Sequence, residues 1–188
     1  MTLARSTLLA LCAATTLGAC TPDALDPNSR LRDTEAKLSS ARSDIDRFYV
    51  LPEAAKSSAA IGQFAKAEAY AQELLSISPK FPDNWNYGNG IHDANMVLGR
   101  VALHAGKRSE AVRFLLAAGE TPGSPQLNSF GPNMGLADDL IFAGERDAVV
   151  SYFQLCDRFW KMDYGKLRLW AFEVQHGIHP GFGANLYY

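Results

Sequence analysis

Three stretches of the chain repeat one order of apolar and polar positions. The first starts at Gly62 and sets Ala67, Tyr70 and Leu74 behind it. The second starts at Gly106 and sets Ala111, Phe114 and Ala118 at the same offsets. The third starts at Gly144, with Val149, Tyr152 and Cys156. In each, a small or β-branched residue follows the glycine by five positions, an aromatic by eight, and a small or apolar residue by twelve. Upstream of each glycine, over 52–61, 92–105 and 133–143, apolar residues recur at helical spacing. The grammar predicts three helix–turn–helix units. The glycine ends one helix in a left-handed conformation, the small residue lets the second helix approach the first, and the aromatic fills the groove between them.

Two more helices flank these units. Leu31, Leu38 and Ile45 stand seven apart and predict an apolar stripe on a polar helix starting near Arg30, with Asn28 or Ser29 as its cap. At the other end, Leu167, Trp170, Ala171 and Val174 share one face of a helix over Lys166–Gln175, suited to close the open end of a stack. The apolar, Gly/Pro-rich segment 177–188 (GIHPGFGANLYY) is expected to fold back as an extended strap. The fold class expected is therefore all-α: a right-handed array of helix pairs with an N-terminal helix and a C-terminal capping helix.

These features resemble tetratricopeptide repeats. The glycine and alanine around the turn, the aromatic, and a proline after the second helix (Pro79, Pro122) carry the resemblance, and Leu98-Gly99 matches the Leu-Gly pair of that family. It spans about 48–161. The Trp-x-x-Leu-Gly opening is absent, and loops 78–90 and 120–132 make the repeats longer than the usual unit. The string Asn128-Ser-Phe-Gly-Pro-Asn-Met134 also resembles a loop in an uncharacterised group of bacterial tetratricopeptide-like proteins. That resemblance implies no activity.

The first residues read differently. Arg5 is followed by a short apolar run ending in Leu17-Gly18-Ala19-Cys20. The run is too short to span a bilayer and has the layout of a secretory signal. The last four residues resemble a bacterial lipobox, which implies that 1–19 form a signal peptide and that Cys20 is lipidated. Thr21 stands where an aspartate resembles an inner-membrane retention signal, so an outer-membrane anchor facing the periplasm is expected. Residues 20–28 read as lipidated cysteine and short tether, with two prolines disfavouring helix, and 29–188 as the helical domain.

Composition removes several function classes. A formal charge of −2 with no basic stripe excludes a nucleic-acid footprint. Of three cysteines only Cys156 lies in the helical domain, so the domain is expected to have neither an internal disulfide nor a cysteine metal cluster. Cys156 occupies the position of Leu74 and Ala118 and reads as core. Among the four histidines, His92 with Asp93 is one conceivable pair, but no third metal ligand is evident. Asp138 and Asp139 are adjacent and diverge on a helix. No phosphate loop, dinucleotide turn or nucleophile elbow occurs, so neither a cofactor nor an enzymatic activity is expected.

Candidate chemistry gathers in two long loops, 79–90 leading into His92 and Asn95, and 121–134. They join helix pairs on one edge of the array and should be neighbours; long loops of this kind are often functional. Trp85 and Tyr87 suit stacking on a ligand or filling space under the loop. Asn128, Ser129 and Asn133 suit either ligand contact or turn closure, and backbone N–H groups near Pro132 and Asn133 suit an anion. The leading expectation is an interaction module presenting a protein or peptide groove. The other is a small-ligand site using Trp85, Tyr87, His92, Asn95, Asn128, Ser129 and Asn133.

Overall fold

A computed structural model describes residues 26–186. The expected signal peptide, the expected lipidation site Cys20 and most of the expected tether lie outside the described residues. Within them the chain forms nine α-helices and two short 3-10 turns, packed mainly in sequence order. It is an all-α, repeat-like array.

Helix α1 (Pro27–Ser40) starts earlier than the sequence suggests. Asp26, rather than Asn28 or Ser29, is the cap: its carboxylate accepts from the Ser29 backbone N–H at 3.1 Å. Pro27 then occupies the first helical position, where its missing N–H costs nothing. The stripe Leu31–Leu38–Ile45 is not one helix. The chain breaks at 41–43, where Ser43 and Asp46 cap each other's backbone and open α2 (Asp44–Ala60). Pro52, read as a helix start, lies inside α2 and is buried.

Helix α3 (Phe64–Ile77) returns along α2, and a 3-10 turn (Ser78–Lys80) leads toward α4 (Tyr87–His104) and α5 (Arg108–Gly119). The third pair is α7 (Gly135–Phe142) and α8 (Arg146–Cys156). The three pair-joining glycines, 62, 106 and 144, all have φ between +74° and +89°, as the turn requires. Ala67, Ala111 and Val149 are fully buried, and so are Leu74, Ala118 and Cys156. Burial pushes the Cys156 thiol far above its ordinary range, so it stays a neutral core group.

Loop 121–134 is not irregular throughout. It contains α6 (Pro125–Phe130), capped by Ser124, whose hydroxyl accepts from Leu127 N–H at 2.9 Å. Helix α9 (Lys166–Gln175) packs on α8 and closes the array. The described part of the tail folds back, as expected, but includes a 3-10 turn (Gly183–Leu186) instead of being extended throughout. Phe182 seats edge-on to Trp170, with ring centroids 5.0 Å apart.

The core falls into two clusters. One centres on Phe48, Leu51 and Leu74; the other on Leu115, Tyr152, Phe153, Trp160 and Trp170. Helix α4 supplies both, with Ala94, Val97 and Leu98 facing the first and Met96 and Ala102 the second. No helix among the described residues is long and apolar enough to cross a membrane.

Candidate functional site

The two long loops meet. Gly88, in the first turn of α4, lies so close to Gly123 that a Cβ on Gly88 would sit 1.8 Å from the Gly123 carbonyl oxygen. The Thr121 hydroxyl donates to the Gly88 carbonyl at 2.8 Å. A run of amides continues the seam. The Ser124 hydroxyl donates to Asn89 Oδ1 at 2.6 Å, and Asn89 Nδ2 donates to Asn86 Oδ1 at 2.7 Å and to Gln126 Oε1 at 2.9 Å. A pair of loops tied this way is a wall rather than a mobile fringe.

Between that wall and α2 lies a cavity of about 480 Å³. Tyr49 from α2, Trp85 from the first loop and Phe130 from α6 form its aromatic sides. Trp85 is 58% exposed and Phe130 73%, unusual for rings of this size in a settled core. A second cavity of about 440 Å³ adjoins it, because Glu53, Lys56 and Asp93 line both. The second is bounded by Arg30, Arg100, Met96 and Val97, with Asn133 and Leu186 at its edge. Together they make one groove along α2 and α4, aromatic at one end and guanidinium-rich at the other.

An ion pair crosses the groove floor. Lys56 Nζ lies 3.1 Å from Asp93 Oδ2. Burial alone would raise the Asp93 carboxyl, but the Lys56 ammonium and the His92 hydrogen bond outweigh it and hold the pKa at about 2. Below the floor, His92 is fully buried. Its Nδ1 lies 3.1 Å from Asp93 Oδ1 and its Nε2 3.2 Å from the Tyr152 hydroxyl. The Asp93 carboxylate only accepts, so Nδ1 carries a proton. Tyr152 in turn donates to the Asn133 carbonyl at 3.1 Å. A polar chain thus runs from the groove through the core to the second loop.

The tail completes the site. Asn185 Nδ2 donates to the carbonyls of Phe130 and Pro132 at 3.0 and 3.1 Å, while Asn185 O accepts from Met134 N–H at 2.8 Å. This places Ala184 and Asn185 on the wall of the first cavity and Leu186 on that of the second.

The seven residues singled out in the sequence do not converge. Trp85 lines the first cavity and Asn133 the second. His92 is sealed beneath the floor, and Asn95 is buried, donating to the Ile91 carbonyl at 2.8 Å. Asn133 Oδ1 accepts from Gly135 N–H at 2.7 Å and so closes the turn into α7. Asn128 Oδ1 accepts from Lys161 N–H at 3.0 Å, and the Ser129 hydroxyl donates to Pro125 O. Tyr87 is the half-buried first residue of α4. Asn128, Ser129 and Asn133 therefore hold backbone in place, and the groove is built from Tyr49, Glu53, Lys56, Asn89, Arg100 and Phe130 beside Trp85. Sequence reasoning passed over these because they sit on regular helices and look like ordinary surface positions.

Among the described residues, no group of three or more His, Cys, Asp or Glu side chains is arranged to hold a metal ion. Compared with family models, curated proteins and solved structures, the chain shows no match. The groove geometry therefore carries the functional reading.

Proposed function

We propose that this chain is a membrane-anchored periplasmic scaffold, held by lipidated Cys20, that binds an extended segment of a protein partner along the groove. The observation that carries the reading is the pair of adjoining cavities, open to solvent and flanked by exposed Trp85 and Phe130. A binding role suits this groove better than catalysis. Its ionisable groups are held in ion pairs (Arg30 with Glu53 and Lys56 with Asp93 inside it, Arg100 with Asp139 beside it), and the nearby histidine lies out of reach.

The test is site-specific photocrosslinking in cells. A benzoylphenylalanine at position 130 is expected to capture a protein partner. The same group at 142, equally exposed but outside the groove, is expected to capture none. Equal capture at both positions, or none at 130, would sink the proposal. The anchor is tested separately: Cys20→Ser should move the protein from the membrane to the soluble fraction.

One observation favours a second reading. The first cavity alone, walled by both loops and α2, has the size of a small-ligand pocket. A metabolite that raises the melting temperature of the wild type but not of Trp85→Ala would support it.

A further inference from the structure

Helix α9 closes the array, yet its outer face is not the polar one that a terminal helix needs to stay in water. Its inner face is Leu167, Trp170 and Val174, all buried. On the opposite face Leu169 and Phe172 are 55% and 53% exposed, and the His176 ring continues the stripe, its centroid 4.0 Å from that of Phe172. Met162 and Tyr164, in the turn before α9, and Ile178, just after it, are exposed as well. Nine large apolar side chains are exposed among the described residues, and five of them fall within 162–178. Such a concentration at one end of the array marks a surface that is covered in use.

The charges beside the stripe specify what covers it. At about 100° of rotation per residue, Lys166 and Glu173 stand on one flank of the stripe, and Arg168 and Gln175 on the other. Lys166 and Glu173 are two turns apart, about 10 Å at the helical rise, too far to pair with each other. Lys166 lies over the Trp160 ring at 5.5 Å. Among the described residues, neither Lys166, Arg168 nor Glu173 has an ion pair within the chain, and Glu173 Oε2 has no hydrogen-bond partner. Two copies of α9 laid face to face and antiparallel are related by a two-fold axis at right angles to both helices. Each flank then meets its own copy, reversed end for end. Lys166 of either copy comes opposite Glu173 of the other, and Arg168 opposite Gln175. Parallel helices would instead set the lysine flank against the arginine flank. The antiparallel register also lets Phe172 enter the space bounded by Gly165, Arg168 and Leu169 of the second copy, where the glycine leaves room for a ring. We propose that the chain pairs with a second copy of itself through the outer face of α9, as an isologous two-fold dimer. Leu169 and Phe172 hold it together and the two Lys166–Glu173 pairs orient it. Neither the groove nor the anchor takes part.

The experiment is photocrosslinking between two copies of the full chain in cells, each with its own C-terminal tag and one carrying benzoylphenylalanine in place of Phe172. A product bearing both tags is expected. Lys166→Glu in both copies, or Glu173→Lys in both, sets like charges opposite each other and should lower its yield about tenfold. Lys166→Glu in one copy and Glu173→Lys in the other restores opposite charges at both contacts, so the yield should return to near that of the wild type. A loss of folding cannot imitate this recovery, because each chain carries the same substitution as before. No doubly tagged product, single variants that crosslink as well as the wild type, or no recovery in the mixed pair overturns the proposal. So does a product in which position 172 joins only some other protein, which would give the face a different occupant. Capture at position 130 is independent of all these outcomes, so the groove stands or falls on its own test.

Discussion

The two halves of the array use different means to hold the same architecture. In α1–α4 the core is made largely of alanine, leucine and one phenylalanine, and ion pairs tie the helices to one another: Arg30–Glu53, Glu35–Lys66, Arg47–Glu73, Asp44–Lys80 and Lys56–Asp93. In the C-terminal half, aromatic rings do most of this work. Tyr152, Phe153, Trp160, Trp170 and Phe182 meet in a chain of contacts with centroids 5.0 to 6.3 Å apart. The reason lies in local geometry. Regular helix pairs with small residues at their contacts pack closely and need little filler. The short α7, the inserted α6 and the returning tail leave irregular spaces that only large rings fill. Gly131 shows how tight the filling is: at φ +87°, a Cβ there would lie 2.4 Å from the Trp160 ring.

Breaking this contrast should produce graded effects. Trp170→Ala removes the ring that touches Phe153, Trp160 and Phe182 and should cost about 3–5 kcal/mol in urea unfolding. A loss under about 1 kcal/mol would show that the aromatic cluster is ornamental. Lys56→Met is the counterpart in the other half. It strands the Asp93 charge beneath the groove and should cost about 3 kcal/mol, far more than an exposed pair.

The same pair sets an acid response. Asp93 is held at about 2, below the usual carboxylate value of 3.8. Its contribution is therefore present above about pH 4 and is lost as pH falls toward 2, amounting to about 2 kcal/mol. Comparing acid titrations of the wild type and Asp93→Asn checks this: the variant should show a shallower loss over that window.

Asn185→Ala should be milder, about 1–2 kcal/mol, because two carbonyls lose the one buried amide that donates to both. Its diagnostic is local: the Met134 amide, which donates to Asn185 O, should exchange faster while amides in α3 do not. Smallest of all, Arg47→Ala deletes a partly exposed bridge to Glu73 and should change stability by about 1 kcal/mol or less.

Much of the fold was legible in the sequence because helix periodicity and turn glycines are local signals. Helix α9 and the three glycine turns fall where the pattern puts them. Where the reading slipped, a local rule met a competing one. Pro52 suits a helix start, yet the capping box at Ser43 opens the helix earlier and carries the proline inside. Leu31, Leu38 and Ile45 keep heptad spacing across a break that only the Ser43–Asp46 pairing reveals. The groove was less legible. That the two loops adjoin follows from their shared edge, but Lys56 and Asp93 lie 37 residues apart, and no spacing rule joins them. Nor does sequence distinguish Asn89, which binds across the seam, from Asn128 and Asn133, which steady backbone.

Helix α4 carries a consequence for how the molecule comes apart. It gives one flank to each cluster, so melting either half strips a surface the other half is built on. Phe114 of α5, packed against both clusters, tightens the link. Arrays whose neighbours share so much should not peel from one end as loosely joined repeats do. Unfolding should be a single cooperative transition: tryptophan fluorescence, dominated by the C-terminal rings, and far-ultraviolet dichroism, reporting every helix, should trace coincident curves.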